Sequence, residues 1–149
     1  MTGNTKSVIG IAGGVLMVLI TASVTSPAAG AQPGQGNANC HVQANNPHNS
    51  KGTPSDIVGK GTVSCNQAID SVFIEVELQR NEGGQWKKVS GGSNNKTGPK
   101  ANERLVAQAT TLCAKGEYRT AARGGGVYGG VPSSSKAWEY SQSVTNPCG

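Results

Sequence analysis

The chain is poor in the side chains that build large cores and in those that perform most enzyme chemistry. Only 4% of its 149 residues are aromatic, with a single phenylalanine, and only 14% carry charge. A core made from few bulky groups buries limited apolar area, so covalent staples are expected to supplement it. There are two histidines, His41 and His48, and two aspartates, Asp56 and Asp70. No G-x-S-x-G elbow accompanies them, so no serine hydrolase arrangement is indicated. No C-x-x-C pair occurs and the histidines lack ligand-like spacing to the cysteines, so neither a zinc site nor any other cofactor is expected. No segment of ten residues shows helical periodicity, and no internal repeat or heptad is present. The modest charge excludes a charge-extended disordered chain.

The N-terminal text has a definite order. Residues 1–7 are polar and carry Lys6, residues 8–21 are apolar (VIGIAGGVLMVLIT), and Ala29-Gly30-Ala31 supplies small residues suited to signal peptidase. The unbroken apolar run is shorter than the roughly 20 residues that span a bilayer. The expected organisation is a signal peptide over 1–31, a flexible lead-in over 32–39 (QPGQGNAN), and a disulfide-bonded β domain over 40–149. The expected location is therefore extracellular or cell-wall associated, with no membrane span in the mature form. The full chain has a formal charge of +5, and cleavage would remove only Lys6, leaving twelve basic against eight acidic groups, or +4.

The four cysteines are Cys40, Cys65, Cys113 and Cys148. An even number in an exported chain argues for two disulfides. Cys40 opens one β-like run and Cys65 closes the next, so antiparallel pairing would set them side by side. Cys113 and Cys148 each stand near the end of a later run. The favoured connectivity is Cys40–Cys65 with Cys113–Cys148.

Short β-type runs bounded by Gly, Asn, Pro and Ser fill the rest. Candidate strands cover 40–45, 57–65, 71–80, 85–90, 103–113, 118–123 and 136–145. In the clearest of them Val72, Ile74, Val76 and Leu78 share one face, while Phe73, Glu75, Glu77 and Gln79 share the other. Asn81-Glu82-Gly83-Gly84 reads as a hairpin turn. Residues 91–101 and the glycine-rich 124–135 read as loops. About seven strands predict an all-β, small antiparallel β-sandwich of immunoglobulin-like architecture with two disulfides.

Gly116-Glu117-Tyr118 resembles the corner at which a sandwich tyrosine bonds its hydroxyl back to the chain. The cysteine spacing departs from that of immunoglobulin domains: Cys113 precedes Tyr118, and Trp86 stands far beyond Cys65. Their sheet-to-sheet disulfide is accordingly not expected. The stretch Cys113-x-x-Gly116-x-Tyr118-Arg119, the late aromatic strand and the terminal Cys148-Gly149 resemble small secreted proteins of actinobacteria. That resemblance implies an extracellular setting and carries no activity with it.

Several groups invite a functional reading beside a plainer one. Glu75 and Glu77 share a strand face roughly 7 Å apart, a separation compatible with acid–base work on a glycosidic bond, or with a simple solvated face. Gly124, Gly126 and Gly129 match the letters of a dinucleotide-binding loop, but Pro132 and serines follow where a helix must start. Tyr128 would sit on that loop as a binding anchor. Lys87, Lys88, Lys96, Lys100 and Arg104 form a loose basic cluster opposed by Glu82 and Glu103, suited to a polyanion or to ordinary solubility. Nucleic acid is not expected, because no stacking aromatics interleave the cluster. Trp86, Trp138 and Tyr140 are read as core or core-edge residues. If Trp86 and Trp138 instead shared an exposed sheet face, they would form a sugar-stacking platform.

The expected function is that of a secreted non-enzymatic binding protein, whose partner is an extracellular protein or a cell-wall polymer. An inhibitor of an extracellular hydrolase, presenting residues 124–135, is the alternative, and a small hydrolase is a remote one.

Overall fold

The computed structural model describes residues 38–133 and 137–149. The expected signal segment over 1–31 and most of the lead-in lie outside them. Among the described residues ten antiparallel strands form two packed sheets. In chain order they are β1 (Cys40–Ala44), β2 (His48–Asn49), β3 (Asp56–Cys65), β4 (Ser71–Glu82), β5 (Gln85–Thr97), β6 (Leu105–Leu112), β7 (Glu117–Tyr128), β8 (Val131–Pro132), β9 (Glu139–Tyr140) and β10 (Val144–Thr145). In the smaller sheet β3 is central, with β6 on one edge and β1 and β2 along the other. In the larger sheet the order is β5, β4, β7, and the free edge of β7 is covered in turn by β8, β9 and β10. The β-sandwich expected from the strand pattern is what forms.

The core lies between the sheets. Val72, Ile74, Val76 and Leu78 point inward from β4 and are almost fully buried, as their two-residue period requires. They meet Ile57 and Val63 of β3 and Ala107 and Ala109 of β6. Glycine lets the layers approach. A Cβ at Gly61 would lie 2.7 Å from Val76 Cγ2 and 2.8 Å from the Ala122 methyl. Close packing thus comes from small residues rather than from the aromatics the chain lacks.

Both expected disulfides are present. Cys40 and Cys65 face each other in the β1–β3 register, so their bond lies within one sheet. Cys113, just after β6, is joined to Cys148, just after β10, which ties the end of the smaller sheet to the C-terminal segment. Tyr118 is buried and its hydroxyl donates to the Ala114 carbonyl at 3.1 Å, making the tight corner expected there.

Four expectations are corrected. Residues 91–97 extend β5 instead of forming a loop, because Gly92 lies where any Cβ would strike the Gln108 carbonyl, and Asn94 Nδ2 donates to the Val106 carbonyl at 2.8 Å. The small residues here let β5 close against β6. Residues 124–128 continue β7, since Gly124 and Gly126 pass too near Phe73 O and Ile69 to carry side chains. The turn is confined to Gly129 and Gly130, both at positive φ, and residues 134–136 lie outside the described residues. Tyr128 consequently packs against the core instead of standing on a loop tip. The last run is two short pairings, β9 and β10, and not one strand over 136–145.

Candidate functional site

The site is built on the outer face of the larger sheet, and the register of the β4–β5 hairpin starts it. The β4–β5 hairpin turns through Gly83 and Gly84, whose φ values of 64° and 86° suit glycine. From that turn Trp86 pairs with Asn81 and Lys88 with Gln79, but Ser90 pairs with Leu78. Val89 is the extra residue. An added residue reverses the side-chain parity of the strand beyond it. Trp86 and Lys88, on the turn side of the bulge, share the face of their partners Asn81 and Gln79, and the bulge brings Gly91 and Ser93 beyond it onto that same face, opposite Glu77 and Glu75.

Across β4, strand β7 contributes Arg119 and Arg123 to this face, opposite Gln79 and Glu75. Beyond β7, the segment through β9 brings Trp138 and Tyr140. Arg119 Nε donates to Gln79 Oε1 at 2.9 Å, and its guanidinium carbon lies 4.5 Å from the Trp86 ring centre and 4.1 Å from that of Tyr140. Those rings arrive from opposite sides of the sheet. Arg123 Nε donates to Glu75 Oε2 at 2.5 Å, and its guanidinium lies 4.7 Å from the Trp138 ring centre. Lys88 Nζ lies 3.3 Å from Glu77 Oε1, while Glu77 Oε2 accepts from Gln79 at 2.9 Å. Ala121, between the two arginines on this outward face, is fully buried. The aromatic and charged side chains thus form a continuous layer over the sheet, held by cation–π contacts and ion pairs.

An open groove of about 540 Å³ runs beside that layer, lined by Glu75, Glu77, Lys88, Ser93, Arg123 and Trp138, with Gly91 and Gly92 in its floor. One aromatic wall with convergent donors and acceptors is the chemistry that recognises a polyhydroxylated ring. A second hollow, of about 570 Å³, lies on the smaller sheet between His48, Lys51, Asp56, Lys60 and Gln108, and has no aromatic wall.

Of the residues singled out in the sequence, Glu75, Glu77, Trp86, Lys88, Trp138 and Tyr140 meet on this face. Neither tryptophan, nor Tyr140, which is 51% exposed, belongs to the core cluster, so their expected core placement is corrected: the hairpin register and the outermost strand put them outside. The other lysines disperse. Lys87 pairs with Glu82 at 3.0 Å, Lys96 pairs with Glu103, and the Lys100 backbone amide donates to Glu103 Oε2. These contacts hold the Glu82 carboxyl below the ordinary value, through Lys87, and the Glu103 carboxyl likewise, through Lys96 and the Lys100 amide. Tyr128 lies elsewhere, against the core. His48 Nδ1 is 3.2 Å from the Asn46 carbonyl, and Asp70 accepts from the Gly130 amide, so these candidates do not converge.

Arg119, Arg123 and Tyr140 complete the site. Their signal in the sequence is a two-residue period of large polar or aromatic groups, Arg119 and Arg123 in one strand and Trp138 and Tyr140 in another. Among the described residues no group of three acidic, histidine or cysteine side chains could hold a metal ion. Among them, too, no helix is long and apolar enough to cross a membrane. No protein-family model matches the chain, and comparison with curated proteins found no relative.

Proposed function

We propose that the mature protein is an exported, non-enzymatic binding protein that holds an extracellular glycan on the outer face of its larger sheet. The observation that carries this reading is the alignment of Trp138, Arg123, Glu75, Glu77 and Lys88 around one open groove beside the Trp86–Arg119–Tyr140 stack. A sugar ring offers an apolar face to an indole and hydroxyls to paired carboxylate and guanidinium groups. Export is supported by the signal-like N-terminal text and by two disulfides, which persist in oxidising compartments. The resemblance to small secreted actinobacterial proteins agrees with that setting.

A binding role in place of catalysis is supported by the state of the two carboxylates. Glu75 is ion-paired with Arg123 and Glu77 with Lys88, an arrangement suited to accepting from sugar hydroxyls. The inhibitor alternative depended on a loop over 124–135, and residues 124–128 of that stretch are strand, with 124–126 buried.

Trp86 and Trp138 are the only tryptophans, so intrinsic fluorescence reports on this face. Titration with soluble chito-oligosaccharide and oligogalacturonate should give saturable fluorescence changes with at least one of them. Trp138→Ala should weaken that binding by about 2 kcal/mol, roughly thirtyfold, as expected for a central aromatic anchor. An absence of saturable change with either glycan contradicts the reading.

A further inference from the structure

The cations of this face are not equivalent. Arg123 and Lys88 each have a carboxylate partner, Glu75 and Glu77. Arg119 does not: among the described residues its polar partner is the neutral Gln79, bound at Nε, and its other neighbours are the Trp86 and Tyr140 rings. Both Nη groups are thus left without a protein acceptor among those residues. A guanidinium fixed in this way is pre-organised, because its plane is set by the rings and one edge is pinned by an amide. The two Nη groups then offer the parallel donors that match a carboxylate in a bidentate pair.

We infer that Arg119 is the anion-reading residue of the site, and that the ligand is an acidic glycan bearing a sugar carboxylate beside a ring held at Trp138. This rests on the glycan-binding reading above. The neighbourhood favours a monoanion. Three carboxylates share the face: Glu75 and Glu77 are ion-paired, and Glu117 accepts from Asn81 Nδ2 at 2.8 Å and from Ser143 Oγ. Their negative charge opposes a dianionic phosphate more strongly than a carboxylate of single charge. Arg119 and Arg123 lie four residues apart on one extended strand, about 13 Å, so the anion and the stacked ring belong to different units of a chain. That spacing selects an oligomer over a monosaccharide.

The test compares hexagalacturonate with its fully methyl-esterified form, which keeps the rings and removes the charges, by calorimetric titration of the intact mature protein. The acid should bind at least tenfold more tightly, and Arg119→Lys, which keeps the charge but loses the fork, should erase most of that difference. Equal binding of acid and ester overturns the carboxylate assignment and leaves glycan binding standing; binding of neither overturns both. A glutamate hexapeptide that binds as tightly as the uronate, or inorganic phosphate that displaces the uronate at equal concentration, also overturns the assignment. If Arg119→Lys disturbs the layer, the wild-type acid-to-ester ratio alone decides.

Discussion

Tyr118 shows how much one side chain can organise. Its ring fills the core where aromatics are scarce, and its hydroxyl satisfies the Ala114 carbonyl at the corner between Cys113 and β7. Tyr118→Phe keeps the ring and removes that hydrogen bond, so it should cost about 1 kcal/mol in chemical denaturation without altering glycan titrations. This residue was legible in the sequence, because a tyrosine after a Gly corner announces its own local bond. Arg119, the very next residue, was not. Its role depends on Trp86 and Tyr140, rings 33 and 21 residues away in the chain (positions 86, 119 and 140), which only the sheet register brings to it. Glu75 and Glu77 were correctly placed on one strand face, yet their ion pairs with Arg123 and Lys88 follow from pairing that no local pattern encodes.

At the scale of the element, strand β4 and its hairpin follow from alternation and from two glycines, and the Cys40–Cys65 bond follows from the antiparallel placement of its cysteines. The glycine-rich stretches misled, because glycine marks either a turn or a close approach of two backbones, and composition does not separate these. The bulge at Val89 was equally hidden, and it decides that Gly91 and Ser93 join the face of Lys88. The C-terminal segment that carries Trp138 and Tyr140 is held by two short pairings, by the Ser141 amide on the Thr120 carbonyl, and by Cys113–Cys148. Replacing both Cys113 and Cys148 by serine should therefore cost about 3–4 kcal/mol. It should also weaken glycan binding, while Cys40–Cys65 still staples the smaller sheet.

The same segment carries a pH dependence. Hydrogen bonds from Ser143 and Asn81 hold the Glu117 carboxyl below its ordinary value of 4.5. The ionised form is favoured by folding, so its contribution is complete above pH 4.5 and is lost as pH falls below that value. Amide protection in residues 139–145 should drop on acidification through that range, and Glu117→Gln should remove the dependence. Hydrogen exchange measured at several pH values checks both.

For the whole molecule, two thin sheets rich in glycine make a scaffold whose aromatic residues are spent largely outside the core. Of the two tryptophans and three tyrosines, Trp86, Trp138 and Tyr140 lie on one outer face, while Tyr118 and Tyr128 pack inward. In a chain with so few aromatics, that allocation is the main physical argument for a ligand. The most direct measurement is a ¹H–¹⁵N spectrum of the mature protein during titration with hexagalacturonate, in which the two tryptophans give two indole N–H signals. The account predicts that both indole signals and the backbone signals of residues 75–79, 88–93 and 119–123 shift together and saturate. Shifts confined to the hollow at His48, Asp56 and Lys60, or no saturable shift at all, would contradict it.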